Sequence, residues 1–194
     1  RISCAAGCGA CCRQPVPVSD VEAWWLIDLV EKMPEPRRAV IRARFAEAER
    51  KLDSTGLGIL DVHGRSKNEY RQFAKAYFDL RLDCPFLEKE RCSIHAARPL
   101  ACREHLVTSP PQHCSTGSSG LVQGVRSAPM AGALLRLTSE DTPPRPRATL
   151  LALLLRWLAL NPKPTAVKPA QEWIERLMAI QSSLARGEGN VPES

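Results

Sequence analysis

Residues Cys4–Arg13 read CAAGCGACCR, four thiols in nine residues, two of them adjacent. Sulfur at that density serves as a disulfide staple, a metal site or a reactive nucleophile. Close spacing lets one loop wrap a cation, because thiolates converge on an ion such as zinc at about 2.3 Å. Gly7 and Gly9 allow the tight turns this needs and aim amide N–H groups at sulfur. Neighbouring side chains in extended backbone point to opposite faces. Cys11 and Cys12 are therefore expected to differ in role. Cys12, next to Arg13, is the expected odd thiol, because a nearby cation lowers a thiol pKa.

Four more cysteines, Cys84, Cys92, Cys102 and Cys114, follow at wide intervals, C-x7-C-x9-C-x11-C. Single ligands so far apart suit a site closed by tertiary folding. Neither group looks complete alone, so the 4–12 loop and the 84–114 segment are expected to converge. The candidate metal ligands are Cys4, Cys8, Cys11, Cys12, Cys84, Cys92, Cys102 and Cys114. A [4Fe–4S] cluster is favoured, because Cys84-Pro85 has the Cys-Pro ending of bacterial ferredoxin motifs and thiols are in excess. A Zn2+ ion is the alternative. Disulfides are disfavoured, since the chain is large enough for a core and the first four thiols are too clustered to tie distant segments.

The chain has 194 residues, 44% of them apolar, enough for one domain with its own core. Net charge is +6, with 5% aromatics and no interleaving of basic and aromatic residues, so no nucleic-acid partner is expected. The longest apolar run, Leu150–Leu160, carries Arg156 and is about half the roughly 20 residues a membrane span needs. No charged-then-apolar leader precedes the cysteines, and the cytoplasm is the expected compartment.

The expected fold is mostly α with a small β hairpin, a helical domain carrying a cysteine-rich metal-binding lobe. Ser19-Asp-Val-Glu22 is a capping box opening a helix that is apolar almost all round. Ile41, Phe45, Ala48 and Leu52 stripe a second helix beneath an arginine-rich face, read as solvated surface with an acidic partner as the alternative. Ser66-Lys-Asn-Glu69 opens a third, Cys84–Ile94 reads as a hairpin, and a helical turn follows near Pro99–His105. Residues 107–147 read as irregular with an apolar patch at Met130–Leu137; helices are expected over Thr149–Leu160 and Pro169–Ala185. The division is a cysteine-cluster metal-binding domain at 1–114, a connector at 115–147, and a helical segment at 148–194 packed on the same domain.

CGACCR followed by CPFLEKERCSIHAARPLACREH resembles the YkgJ-type cysteine-cluster (CxxCxxCC) family of zinc- or iron-chelating proteins. The resemblance covers residues 4–105. It implies ligand roles for Cys8, Cys11, Cys12, Cys84, Cys92 and Cys102, with Cys4 one residue further out than the commonest spacing. Arg98-Pro99 and Arg103 match the family's R-P and C-R, and His95 and His105 stand where tyrosine is common. A related branch, the flagellin lysine N-methylases, uses an iron–sulfur cluster with S-adenosylmethionine. Cys4-x3-Cys8-x2-Cys11 also has the spacing of radical-SAM enzymes, but at the start of a helical chain too short for their barrel.

Function stays open between two classes. One is an Fe–S enzyme or redox protein acting on a peptide or protein; the other is a zinc-stabilised interaction module or metal-handling protein. Of the histidines, His63 lies in a connector and His95, His105 and His113 lie near cysteines, with His105 the best ligand candidate. Arg13, Arg98 and Arg103 are candidates to offset thiolate charge.

Overall fold

The computed structural model describes residues 1–58, 67–116, 119–140, 148–162 and 169–187. The fold is mostly α with two small two-stranded sheets. Strand β1 (Pro17–Ser19) leads straight into helix α1 (Asp20–Glu31), whose capping box forms as expected. The Glu22 amide donates to Ser19 Oγ at 3.4 Å, and the Ser19 amide to Glu22 Oε2 at 3.1 Å. Contrary to the all-round apolar reading, α1 buries one side: Trp24, Leu26 and Val30 are inside, whereas Trp25 is half exposed.

Helix α2 (Glu35–Ser54) starts after Pro34 and buries Ile41, Phe45, Ala48 and Leu52, as its stripe predicts. Its outer arginines are tied to carboxylates, Arg38 to Glu35, Arg42 to Glu31 and Arg50 to Glu47. Such exposed pairs add little stability. Helix α3 (Lys67–Asp79) follows. Ser66, the cap expected for it, lies outside the described residues, as does His63.

Strand β4 (Ala148–Leu150) pairs antiparallel with β1, Val18 opposite Thr149, and the Leu151 amide adds a bond to Val16 O at 2.8 Å. A 3-10 turn at Leu151–Leu153 then leads into helix α6 (Leu154–Leu160). The expected helix from Thr149 therefore starts late. A short run that is apolar on all sides fits a buried strand and a buried helix equally, and here the open edge of β1 decides. Trp24 and Trp157 pack with ring centroids 5.7 Å apart, and Arg156 bridges α6 to Glu49 and Asp53 of α2.

The segment read as irregular contains helix α5 (Met130–Glu140). Its entry is tied down by the Ala131 amide, which donates to Glu104 Oε1 at 2.7 Å, and Ala131, Ala133 and Leu137 are buried. Helix α7 (Ala170–Ala185) lies against it, where Gly132 admits Leu184. None of the residues of α7 is fully buried.

Candidate metal centre

The N-terminal loop winds through successive turns, with the Cys8 amide on Ala5 O, Cys12 on Gly9 O and Gln14 on Cys11 O. Gly7 has φ +92°, a conformation open to glycine. Gly9 has a different reason: a Cβ there would lie 2.5 Å from Glu90 O and 2.7 Å from Leu87 Cδ1. The loop is thus pressed onto the hairpin of β2 (Leu87–Glu88) and β3 (Arg91–Cys92). Lys89 and Glu90 turn that hairpin with φ of +49° and +58°, the handedness of a two-residue connection usually made by Asn-Gly. Arg13 supports the turn. It donates to both Glu90 carboxylate oxygens, at 2.7 and 3.0 Å, and reaches Asp83 at 2.7 Å.

The two cysteine segments meet. The Cys84 amide donates to Cys12 O at 2.8 Å. The Phe86 amide serves the Cys84 sulfur, and the Ile94 amide that of Cys92. Both turns place an amide two residues beyond a cysteine onto its sulfur, while Phe86 and Ile94 anchor in the helical core. Helix α4 (Leu100–Glu104) presents Cys102. Its first amide, Leu100 N, donates to Glu22 Oε1 at 2.7 Å, so the capping box of α1 caps α4 as well.

Cys11, Cys84, Cys92 and Cys102 form a quartet: Cys102 feels the charge of the other three, Cys84 that of Cys92 and Cys11, and Cys92 that of Cys11. Burial foremost, then Cys92 and Cys11, raises Cys84 to about 12. Burial, then Cys84, Cys11 and Cys92, pushes Cys102 up, and burial raises Cys92. Cys12 feels Cys84, Cys11 and Cys92. Cys11 also belongs to a second grouping. Buried Cys114, in a 3-10 turn at Pro111–Ser115, feels Cys11, Cys4 and Cys8. Its carbonyl accepts from Gln14 Nε2 at 3.3 Å, and Cys4 Sγ accepts from the Val107 amide at 3.4 Å.

The expectation for Cys11 and Cys12 needs correcting. Residues 10–13 form a turn, not extended chain, so the two thiols face the same space and hydrogen-bond. Cys12 donates and Cys11 accepts. That bond, assisted by the amide of Cys11 and by Arg98, lowers Cys11 to about 7, and the same bond raises Cys12. Arg13 is spent on Asp83 and Glu90, so Cys11 rather than Cys12 is the activated thiol.

Of the three candidate arginines, Arg98 alone acts on the thiols: its charge lowers Cys11, Cys92 and Cys102. Its Nε is buried without a hydrogen-bond partner among the described residues. Arg103 instead donates to Arg98 O at 2.8 Å and to Ala96 O. A cavity of about 190 Å³ opens beside Cys11 and Cys102, lined also by Gln14, Tyr70 and His105. His105 Nε2 is buried with no partner among the described residues, and burial lowers the pKa of the ring. His113 is engaged with Leu121 O at 3.0 Å, and His95 is exposed.

Among the described residues, no three His, Cys, Asp or Glu side chains are set to hold a metal ion as they stand. The chemistry of the donors nevertheless fits one. Burial and mutual repulsion keep several soft donors protonated, one guanidinium faces them, and amides already point at two of the sulfurs. A cation reverses that pKa logic, because a coordinating thiol is deprotonated outright. Sequence reasoning passed over Glu22 as the cap of α4 and Gln14 as the link to Cys114. The only signal for Glu22 was that an N3 carboxylate has a second oxygen.

A search of curated proteins and one of solved structures found no match. A family profile described as "CxxCxxCC: putative zinc- or iron-chelating domain" matches residues 3–116, beyond the 4–105 of the motif resemblance and including Cys114. Spanning more than half of the sequence and every one of the eight cysteines, that match makes the chain a member of the CxxCxxCC zinc- or iron-chelating family.

Proposed function

We propose that Cys11, Cys84, Cys92 and Cys102 hold a [4Fe–4S] cluster at the centre of a redox protein or enzyme acting on a peptide or protein. The observation that carries this reading is the quartet itself, four thiols contributed by the loop, the hairpin and α4, each within electrostatic reach of the other three. The cluster supplies one-electron transfer. The residues of the chain tune and shield it: the Phe86 and Ile94 amides donate to sulfur, and Arg98 offsets thiolate charge. Hydrogen bonds to sulfur and local charge are the levers by which proteins set such potentials. Cys12, Cys4, Cys8 and Cys114 remain as the thiol excess, Cys12 and Cys114 within electrostatic reach of Cys11.

A zinc ion in an interaction or metal-handling module is the second reading. The two amide-to-sulfur turns support it as well, since they suit a four-thiolate zinc site equally. All eight thiols are free, which suits a reducing compartment such as the cytoplasm. No described helix is long and apolar enough to cross a membrane.

Anaerobic purification with iron, sulfide and zinc analysis decides between the readings. About four irons and four sulfides per chain, lost in Cys84→Ser and Cys102→Ser, are expected. One zinc without sulfide establishes the second reading, and neither metal overturns both.

A further inference from the structure

His105 follows α4 directly, its amide closing on Ala101 O at 3.2 Å. Its ring lines the same cavity as Cys11 and Cys102, the loop and α4 members of the quartet. Nε2 is buried and has no hydrogen-bond partner among the described residues, in a fold where buried polar atoms are nearly always paired. Two occupants could satisfy it. A water needs two to four polar partners; Gln14 already donates through Nε2 to Cys114 O, which leaves its carbonyl and Tyr70 beside the weakly bonding thiols. A metal takes an imidazole nitrogen beside thiolates, and this unpartnered nitrogen belongs to a ring that shares its cavity with two thiols.

We infer that His105 Nε2 is a nitrogen ligand of the same metal centre, entering it from the cavity side next to Cys11 and Cys102. The inference rests on the proposed metal reading and deepens it: His105 and three of the quartet's thiols complete the centre, so the donor set is mixed sulfur and nitrogen. In an iron–sulfur centre, nitrogen in place of thiolate raises the potential.

The test is spectroscopic, on the full chain as purified with its own metal. Histidine labelled with 15N is incorporated, and nitrogen coupling is read by pulsed electron paramagnetic resonance of the reduced cluster, or of the cobalt(II)-exchanged protein where the metal is zinc. The parent is expected to show histidine nitrogen coupling, and His105→Gln to lose it with metal affinity falling tenfold or more. His105→Cys should recover the affinity and, for a cluster, lower the potential. Bound metal with no nitrogen coupling, or coupling that survives in His105→Gln, overturns this inference and leaves the metal reading standing. A parent without metal overturns both. Should His105→Gln fail to fold, the labelled parent decides: a coupling there supports nitrogen ligation, and His95→Gln and His113→Gln, which must leave it unchanged, assign it.

Discussion

The helical body and the cysteine loop of this protein are ordered by different forces. In the body, Leu26, Val30, Ile41, Phe45 and Leu154 are fully buried among α1, α2 and α6. Burial of this kind stabilises by about 1.5–3 kcal/mol per large apolar side chain. Between Arg1 and Pro17, by contrast, the only fully buried residue is Gly9. The loop is held by hydrogen bonds to partners far along the chain: Cys84 N to Cys12 O, Ser3 N to Val107 O and Gln14 Nε2 to Cys114 O. The contrast teaches that the body supplies its own driving force, whereas the loop depends on the hairpin it leans on and on what its thiols bind.

The largest effect expected from that difference is the response to metal removal. Structural zinc in small domains contributes about 10–16 kcal/mol, and a metal bound here would supply its free energy to a loop with almost no apolar burial of its own. Chelation followed by hydrogen exchange should strip protection from amides of residues 8–14 while those of α1, α2 and α6 keep theirs. Equal loss throughout the chain would erase the distinction between the regions.

Phe86→Ala attacks the joint instead. Phe86 is fully buried, packs edge-on against Phe45 with centroids 5.5 Å apart, and lies two residues after Cys84. Truncating such a ring costs about 3–5 kcal/mol. Thermal unfolding and metal content should fall together in this variant. A melt lowered without any change in metal content would show that the two regions are less joined than the hairpin suggests.

Gly9→Ala acts on the loop alone. The added methyl meets a backbone oxygen, Glu90 O, which cannot rotate away. Forced overpacking of this kind costs about 1–3 kcal/mol. The expected outcome is weaker metal binding in a titration, with the melting of the helical body nearly unchanged. A body melting temperature that drops as far as in Phe86→Ala would sink it.

How much of this was legible in the sequence follows the same division. Where periodicity is strong, as in the Ile41–Leu52 stripe or the Ser19–Glu22 box, the elements appear where the residues put them. Two elements went astray for a stated reason. Residues 148–150 became a strand because β1 offered an open edge, and Met130–Glu140 became a helix although Gly132 weakens its local propensity, because α4 and α7 pack against it. At the site, the thiol clusters and their convergence were readable from spacing. The direction of each thiol was not, since it depends on a turn at residues 10–13 and on Arg13 choosing Glu90 over sulfur.

That last point gives the smallest effect in energy and the sharpest test of the loop. In the metal-free protein, Cys11 is held at about 7 against an ordinary 9.0, foremost by the hydrogen bond from Cys12, which is itself raised by that bond. For Cys11 the folded pKa is depressed, so its stabilisation is complete above pH 9.0 and is lost as pH falls through about 7. For Cys12 the sign is reversed: its stabilisation is complete below 9.0 and is lost as pH rises beyond that. Stability should therefore climb from pH 7 to 9 and decline at higher pH. Alkylation with iodoacetamide should label Cys11 well before Cys12, because the thiolate is the nucleophile. Its rate should fall about tenfold per unit below pH 7 as the thiolate fraction drops. Peptide mass spectrometry reads the site. Faster labelling of Cys12, or a midpoint near 9, would return the activated role to the thiol beside Arg13 and with it the extended geometry that the turn replaces.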